Sequence, residues 1–136
     1  MVKKMPKKTV KRSSNKAKPK IKRFTFPVDV YGDKIEFIYG TGEQIASFFE
    51  DENFDYWHGA CFTSEAGITV WVNSEPVGIP HFVATLSHEC LHAAWNMLYY
   101  KEIEVKHENH EVLAYLQGFI FGKCFEKLKV WLNECN

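Results

Sequence analysis

From Pro80 to Tyr100 the chain reads PHFVATLSHECLHAAWNMLYY, with no glycine and no second proline. Proline's fixed φ suits the first turn of a helix. The stretch is therefore expected to form one helix about 30 Å long. A helix this apolar cannot stand alone in water and needs another layer of structure against it. Within it, the surroundings ATLSHECLHAAWNML carry no charge other than His88, Glu89 and His92. Any fold for this chain has to cover that helix and also account for those three side chains.

The covering layer must come from the residues on either side. Phe24–Val30 (FTFPVDV) alternates loosely, Gly32-Asp33 signals a turn, and Lys34–Tyr39 (KIEFIY) follows, a pattern that predicts a hairpin. Pro27 argues that its first strand lies at an edge or carries a bulge. Thr41 is placed to cap a short helix through EQIASFFED, with Ile45, Phe48 and Phe49 inward. Asp55–Phe62 and Ile68–Asn73 (ITVWVN) flank the turn SEAG and predict a second hairpin. After the long helix, KEIEVKHEN is expected to break the chain, with Asn109 a candidate cap. HEVLAYLQGFIFGKCFEKLKVWL then reads as one long helix or two short ones. Strands first and helices last predict an α+β fold with a small antiparallel sheet.

Charge divides the chain more sharply than the zero net charge implies. Residues 1–23 hold eleven of the seventeen Lys and Arg and no Asp or Glu. The remaining 24–136 hold six basic and seventeen acidic residues, a net of −11. The basic arm has almost no large apolar side chains, so it is expected to be disordered in isolation. Its charge suits non-specific binding of phosphate backbones, which makes nucleic acid an expected partner; docking onto the acidic body and a merely solubilising tail are the rival readings. No aromatic residue lies among its charges, so base stacking is not indicated. No apolar core follows the basic stretch as in a secretory signal, and no run approaches the roughly 20 apolar residues of a membrane span. Cys61, Cys90, Cys124 and Cys135 form no CxxC pair, which points to reduced thiols in a cytoplasmic setting.

His88 and His92 are four residues apart and so share a helix face, where both imidazoles can reach one ion. Glu89 is rotated by one position. There it flanks the ion and can take a proton from a metal-bound water, whose pKa zinc lowers to about 7. This is the mechanics of H-E-x-x-H. Two histidines and a glutamate in an apolar helix are costly without a partner. A catalytic zinc needs a third protein ligand and an open position. Glu102, Glu104, His107, Glu108, His110 and Glu111 are the candidates downstream. Glu111 heads a stripe through Ala114, Gly118 and Gly122, small residues that would let its helix approach the His88–His92 helix closely; His110 heads a stripe without such residues, and His107, one turn before Glu111, is a rival if the helix begins early. The same triad also serves non-haem iron, but Glu89 between the histidines favours zinc hydrolysis. His81 lies about 10 Å before His88 along the axis, too far to share the ion, and is expected to line the cleft or simply to sit in the first turn. His58 reads as structural and Cys90 as core.

HECLH, followed after sixteen residues by NHEVLAYLQG, resembles the small gluzincin-type zincins, and in particular short metallopeptidases encoded by bacteriophages. The resemblance covers roughly residues 60 to 122. It implies a zincin-like fold with the metal helix packed on a Glu-bearing helix, a Zn2+ cofactor and peptide-bond hydrolysis. His88, His92 and Glu111 would be the ligands and Glu89 the general base, in the host cytoplasm for a phage protein. Zincins bind a protein or peptide substrate as an added strand, and Ile68–Asn73 is the expected platform. Tyr115, His107 and His110 are the candidates for oxyanion stabilisation. Two alternatives stand beside this reading. One is a non-catalytic zincin-fold binding module, against which the intact Glu89 argues because it has no ligand role. The other is a protease recruited to nucleic acid by the basic arm.

Overall fold

The structure, a computed structural model, describes residues 20–49, 53–75 and 78–134. The fold is α+β. Strand β1 (Lys22–Val28) turns through a short 3-10 segment (Asp29–Tyr31) into β2 (Asp33–Gly40). The turn closes at Gly32, whose φ of 68° is the left-handed conformation that glycine adopts at low cost. Helix α1 (Gly42–Ala46) follows, then the hairpin of β3 (Gly59–Ser64) and β4 (Gly67–Asn73). Helices α2 (Ile79–Tyr100) and α3 (Glu111–Glu134) complete the fold. Because β1 begins at Lys22, and Ile21 packs on the core beside it, the body starts slightly before the charge boundary at residue 23. The rest of the basic arm lies outside the described residues.

The sheet is mixed rather than antiparallel, in the order β1-β2-β4-β3. β4 inserts between β2 and β3 and pairs parallel to β2, from Ile35↔Ile68 to Gly40↔Asn73. Residues 41–66 form the crossover that allows it. The reason is visible in β4 itself: Ile68, Val70, Trp71 and Val72 are all buried. A strand apolar on both faces belongs in the middle of a sheet, covered from both sides.

Period-two alternation divides the core between those faces. Phe26, Val28, Ile35, Phe37, Tyr39, Val70 and Val72 pack against α2 and α3 through Leu86, Met97, Leu98, Ile120 and Leu128. On the opposite face Ile38, Ala60 and Trp71 meet Ile45 and Phe54. The indole of Trp71, wholly buried, donates to the Gly40 carbonyl at 2.9 Å. Thr41 caps α1 in a reciprocal box with Gln44. α1 ends at Ala46, so Phe48, expected inward, is half exposed, and Glu50 and Asp51 lie outside the described residues.

α3 is one continuous helix. Asn109 does not cap it with its side chain; it bonds backward into the loop instead, to the Lys106 amide and the Glu104 carbonyl. No helix among the described residues is long and apolar enough to cross a membrane.

Candidate metal centre

α2 lies under β3 and runs in the same direction. Thr85 and Glu89 pass beneath Gly59, and Asn96 donates to the Thr63 hydroxyl at 3.0 Å. The approach at Gly59 is close. A Cβ there would meet the Trp71 carbonyl oxygen at 2.6 Å and the Thr85 methyl at 2.7 Å. Glycine is what lets the helix and its side chains come against the strand's backbone.

His88 and His92 project from the exposed side of α2, one turn apart. Their Nε2 atoms are 3.2 Å apart and their ring centroids 4.9 Å apart. Two nitrogens each about 2.05 Å from a tetrahedral ion stand about 3.3 Å apart, so the pair fits two corners of a zinc site. The same separation also suits one N–H···N bond between the rings. Glu89 turns the other way, into the wall below Gly59, and is only 8% exposed. Its Oε1 lies 3.9 Å from His88 Nε2. Burial pushes the Glu89 carboxyl above the ordinary carboxylate range, while the imidazoles of His88 and then His92 draw it back down.

The other residues expected at the site are more dispersed. Glu111 is the exposed first residue of α3, and Tyr115, one turn later, is 77% exposed. The stripe behind Glu111 does not face α2. Ala114, Gly118 and Gly122 are exposed, and a Cβ on either glycine would meet nothing within 4 Å. α3 instead turns Leu116, Gln117, Ile120 and Cys124 inward, and Gln117 donates to the Ser87 carbonyl of α2 at 3.2 Å. Apolar bulk, rather than small size, set which face of α3 was buried. Among the described residues, no three His, Cys, Asp or Glu side chains are grouped so as to hold a metal. The structure thus brings His88, Glu89 and His92 together, and among the described residues no hydrogen bond or ion pair joins Glu111 to them. His107 and His110, centroids 5.7 Å apart, lie exposed in the turn before α3.

A cleft of about 430 Å³ opens beside the pair, lined by Trp57, His58, Gly59, His81, His88 and Glu89 among others. His81 lines it as expected. His58, expected to be structural, lines it too, its ring 4.3 Å from that of His81. No sequence signal joins these two histidines, which stand 23 positions apart on different elements.

The strand available to a peptide also differs from expectation. Ile68–Asn73 lies within β4, which is paired on both sides and has no free edge. The strand beside the cleft is β3, the last in the sheet. The Asn73 amide bonds the His58 carbonyl at 2.8 Å, which sets the phase of the ladder. By alternation Ala60, Phe62 and Ser64 bond to β4, while Gly59, Cys61 and Thr63 turn their N–H and C=O groups outward. Cys90 is buried, as expected of core, and its thiol is raised first by its bond to Cys124 and then by burial. Burial, and next the charge of Glu89, push the Cys61 thiol up to about 12.

No protein-family model, no curated protein and no solved structure matches this chain.

Proposed function

We propose that the chain is a zinc-dependent, metallopeptidase-like hydrolase that cuts peptide bonds in its cleft. The observation carrying this reading is the 3.2 Å separation of the His88 and His92 Nε2 atoms, with Glu89 in the adjoining wall. His88 and His92 are two metal ligands in this proposal. Glu111 is the third, supported by the likeness of NHEVLAYLQG to the gluzincin-type helix and by its place at the head of the helix packed on α2. Zinc held there supplies a Lewis acid that polarises a carbonyl and acidifies water.

The chain's own groups do the rest. The outward N–H and C=O groups of Gly59, Cys61 and Thr63 hold a peptide as an added strand. Glu89 accepts a proton from the attacking water and returns it to the departing amine. Burial raises its carboxyl above the ordinary value, which makes the carboxylate a better acceptor of the water's proton. Tyr115, with its exposed hydroxyl, is the proposed donor to the developing oxyanion, and His107 and His110 are its rivals.

The test is hydrolysis of a fluorogenic peptide library by the zinc-loaded chain and by its Glu89→Gln variant. The expected result is cleavage by the wild type and a loss of about 10²–10⁴-fold in Glu89→Gln, with the zinc content unchanged. Equal cleavage by both chains would sink the role of Glu89. No cleavage by a zinc-loaded wild type would sink the enzyme reading.

A further inference from the structure

The two edges of the sheet are built differently. An unpaired strand edge is open to any other strand, and folded proteins protect it with charge, proline or a bulge. β1, at one edge, carries Lys22, Arg23 and Pro27. β3, at the other, reads GACFTS, without charge or proline, and its register with β4 runs unbroken from Gly59↔Val72 to Ser64↔Gly67. Among the described residues, nothing pairs with the outward groups of Gly59, Cys61 and Thr63. The helix beside this edge is bare as well. Ala84, His88, Leu91, His92, Trp95 and Tyr99 are all exposed and share the flank of α2 opposite the buried Leu86, Cys90, Ala93 and Met97. Thr85, Glu89 and Asn96 reach up to β3, so this flank faces out beneath the open edge. No Lys, Arg, Asp or Glu lies on it.

Strand and flank are each self-complementary about one point. A two-fold axis at Cys61 pairs Gly59 of one copy with Thr63 of the other and Cys61 with itself. All three residues turn their backbone groups outward, so this register closes about six hydrogen bonds. On the helix, Gly59 stands over Thr85 and Glu89, and Thr63 meets Asn96. Cys61, midway, therefore stands over Leu91 and His92. An antiparallel α2 about the same axis sets Trp95 of one copy against His88 of the other, and Tyr99 toward Ala84, a large side chain facing a small one. The spacing agrees too. α2 packs chiefly on β3 and β4, so its axis lies between them. Two such helices across the new strand pair are two strand spacings apart, about 9–10 Å, which is the distance at which helices pack.

We propose that two copies of the chain pair through β3 and this flank of α2, joining their four-stranded sheets into one continuous sheet. A single added peptide fills the edge but is only about 4.8 Å wide, and it leaves the flank of Leu91 and Trp95 bare. A second copy brings a helix to cover that flank. Charge favours the same occupant. The body carries a net of −11, and this face is free of Lys, Arg, Asp and Glu, so two acidic bodies can meet there. The arm returns the whole chain to zero net charge, so full-length copies do not repel one another. On the reading of the cleft as a peptide site, the pair is its closed form, because the partner's β3 occupies the edge that a peptide would use.

The experiment uses the full-length chain in a chelator, so that neither turnover nor a bridging metal intervenes. Sedimentation velocity gives the mass across a concentration series, and amide hydrogen exchange is followed by NMR on the same samples. The expected result is a monomer–dimer equilibrium in which the amides of Gly59, Cys61 and Thr63 gain protection as the dimer fills. Those of Ala60 and Phe62, bonded to β4, stay protected throughout. Trp95→Lys alters an exposed position and acts on both halves of the interface, so it is expected to weaken the dimer by at least about tenfold. A chain that stays monomeric up to about 1 mM would overturn the proposal. So would a dimer that leaves the three amides unprotected and ignores Trp95→Lys, which would place the contact on another face. Protection of the three amides in a monomer, lost on deleting residues 1–19, would also overturn it and make the arm the occupant. A chain that dimerises in this way but cuts nothing would sink the peptidase reading and leave the interface standing.

Discussion

Glu89 is held between opposing effects. Its position under Gly59 strips water from the carboxylate, and the two imidazoles favour the charged form; burial is the larger cause, so the carboxyl is raised above its ordinary 4.5. The folded chain therefore keeps this proton to higher pH than the unfolded chain does. The stability tied to the neutral form is complete below 4.5 and is lost as pH rises through the folded value. Glutamine cannot ionise and escapes the loss. In the metal-free chain, Glu89→Gln is expected to gain stability relative to wild type as pH rises through that window. Paired denaturant titrations at several pH values measure this, and a difference independent of pH would contradict it. At this scale the sequence was informative for His88, Glu89 and His92, because helical spacing alone puts them together. It was silent on His58 and His81, which meet only because the crossover after α1 carries His58 to the start of α2.

The elements were partly legible for the same reason. Local patterns placed both hairpins and the long α2, since alternation and proline act over a few residues. The parallel pairing of β2 with β4 is a long-range choice, and its one local sign was the double-sided apolarity of ITVWVN. The stripe of Glu111, Ala114, Gly118 and Gly122 misled, because small residues permit close packing without compelling it. Alanine substitutions separate the two kinds of glycine. Gly118→Ala meets open space and removes a mid-helix glycine, so it is expected to stabilise by about 0.5–1 kcal/mol. Gly59→Ala drives a methyl into the Trp71 carbonyl and the Thr85 methyl, so it is expected to destabilise by about 1–3 kcal/mol. Thermal unfolding of both variants tests the packing of α3 and of α2 at once. A destabilising Gly118→Ala would mean that the small stripe is buried after all.

At the scale of the whole molecule, a basic arm is joined to an acidic body, and the two ends ask for different partners. We propose that the basic arm preceding β1 binds nucleic acid through phosphate contacts alone. Affinity for duplex DNA is then expected to fall linearly on a log–log plot against salt, with a slope of about −0.9 per phosphate neutralised. It is expected to be indifferent to sequence. Binding unaffected by salt would contradict this. The central claim is narrower, namely that α2 carries a metal site to which α3 contributes. Metal content by mass spectrometry of the purified wild type, His88→Ala and Glu111→Ala tests it most directly. The account predicts about one zinc per chain in the wild type, with a large loss in both variants. Full zinc in Glu111→Ala would remove α3 from the site. A folded wild type that stays metal-free after incubation with zinc would reduce SHECLHAAW to a helix with two hydrogen-bonded histidines.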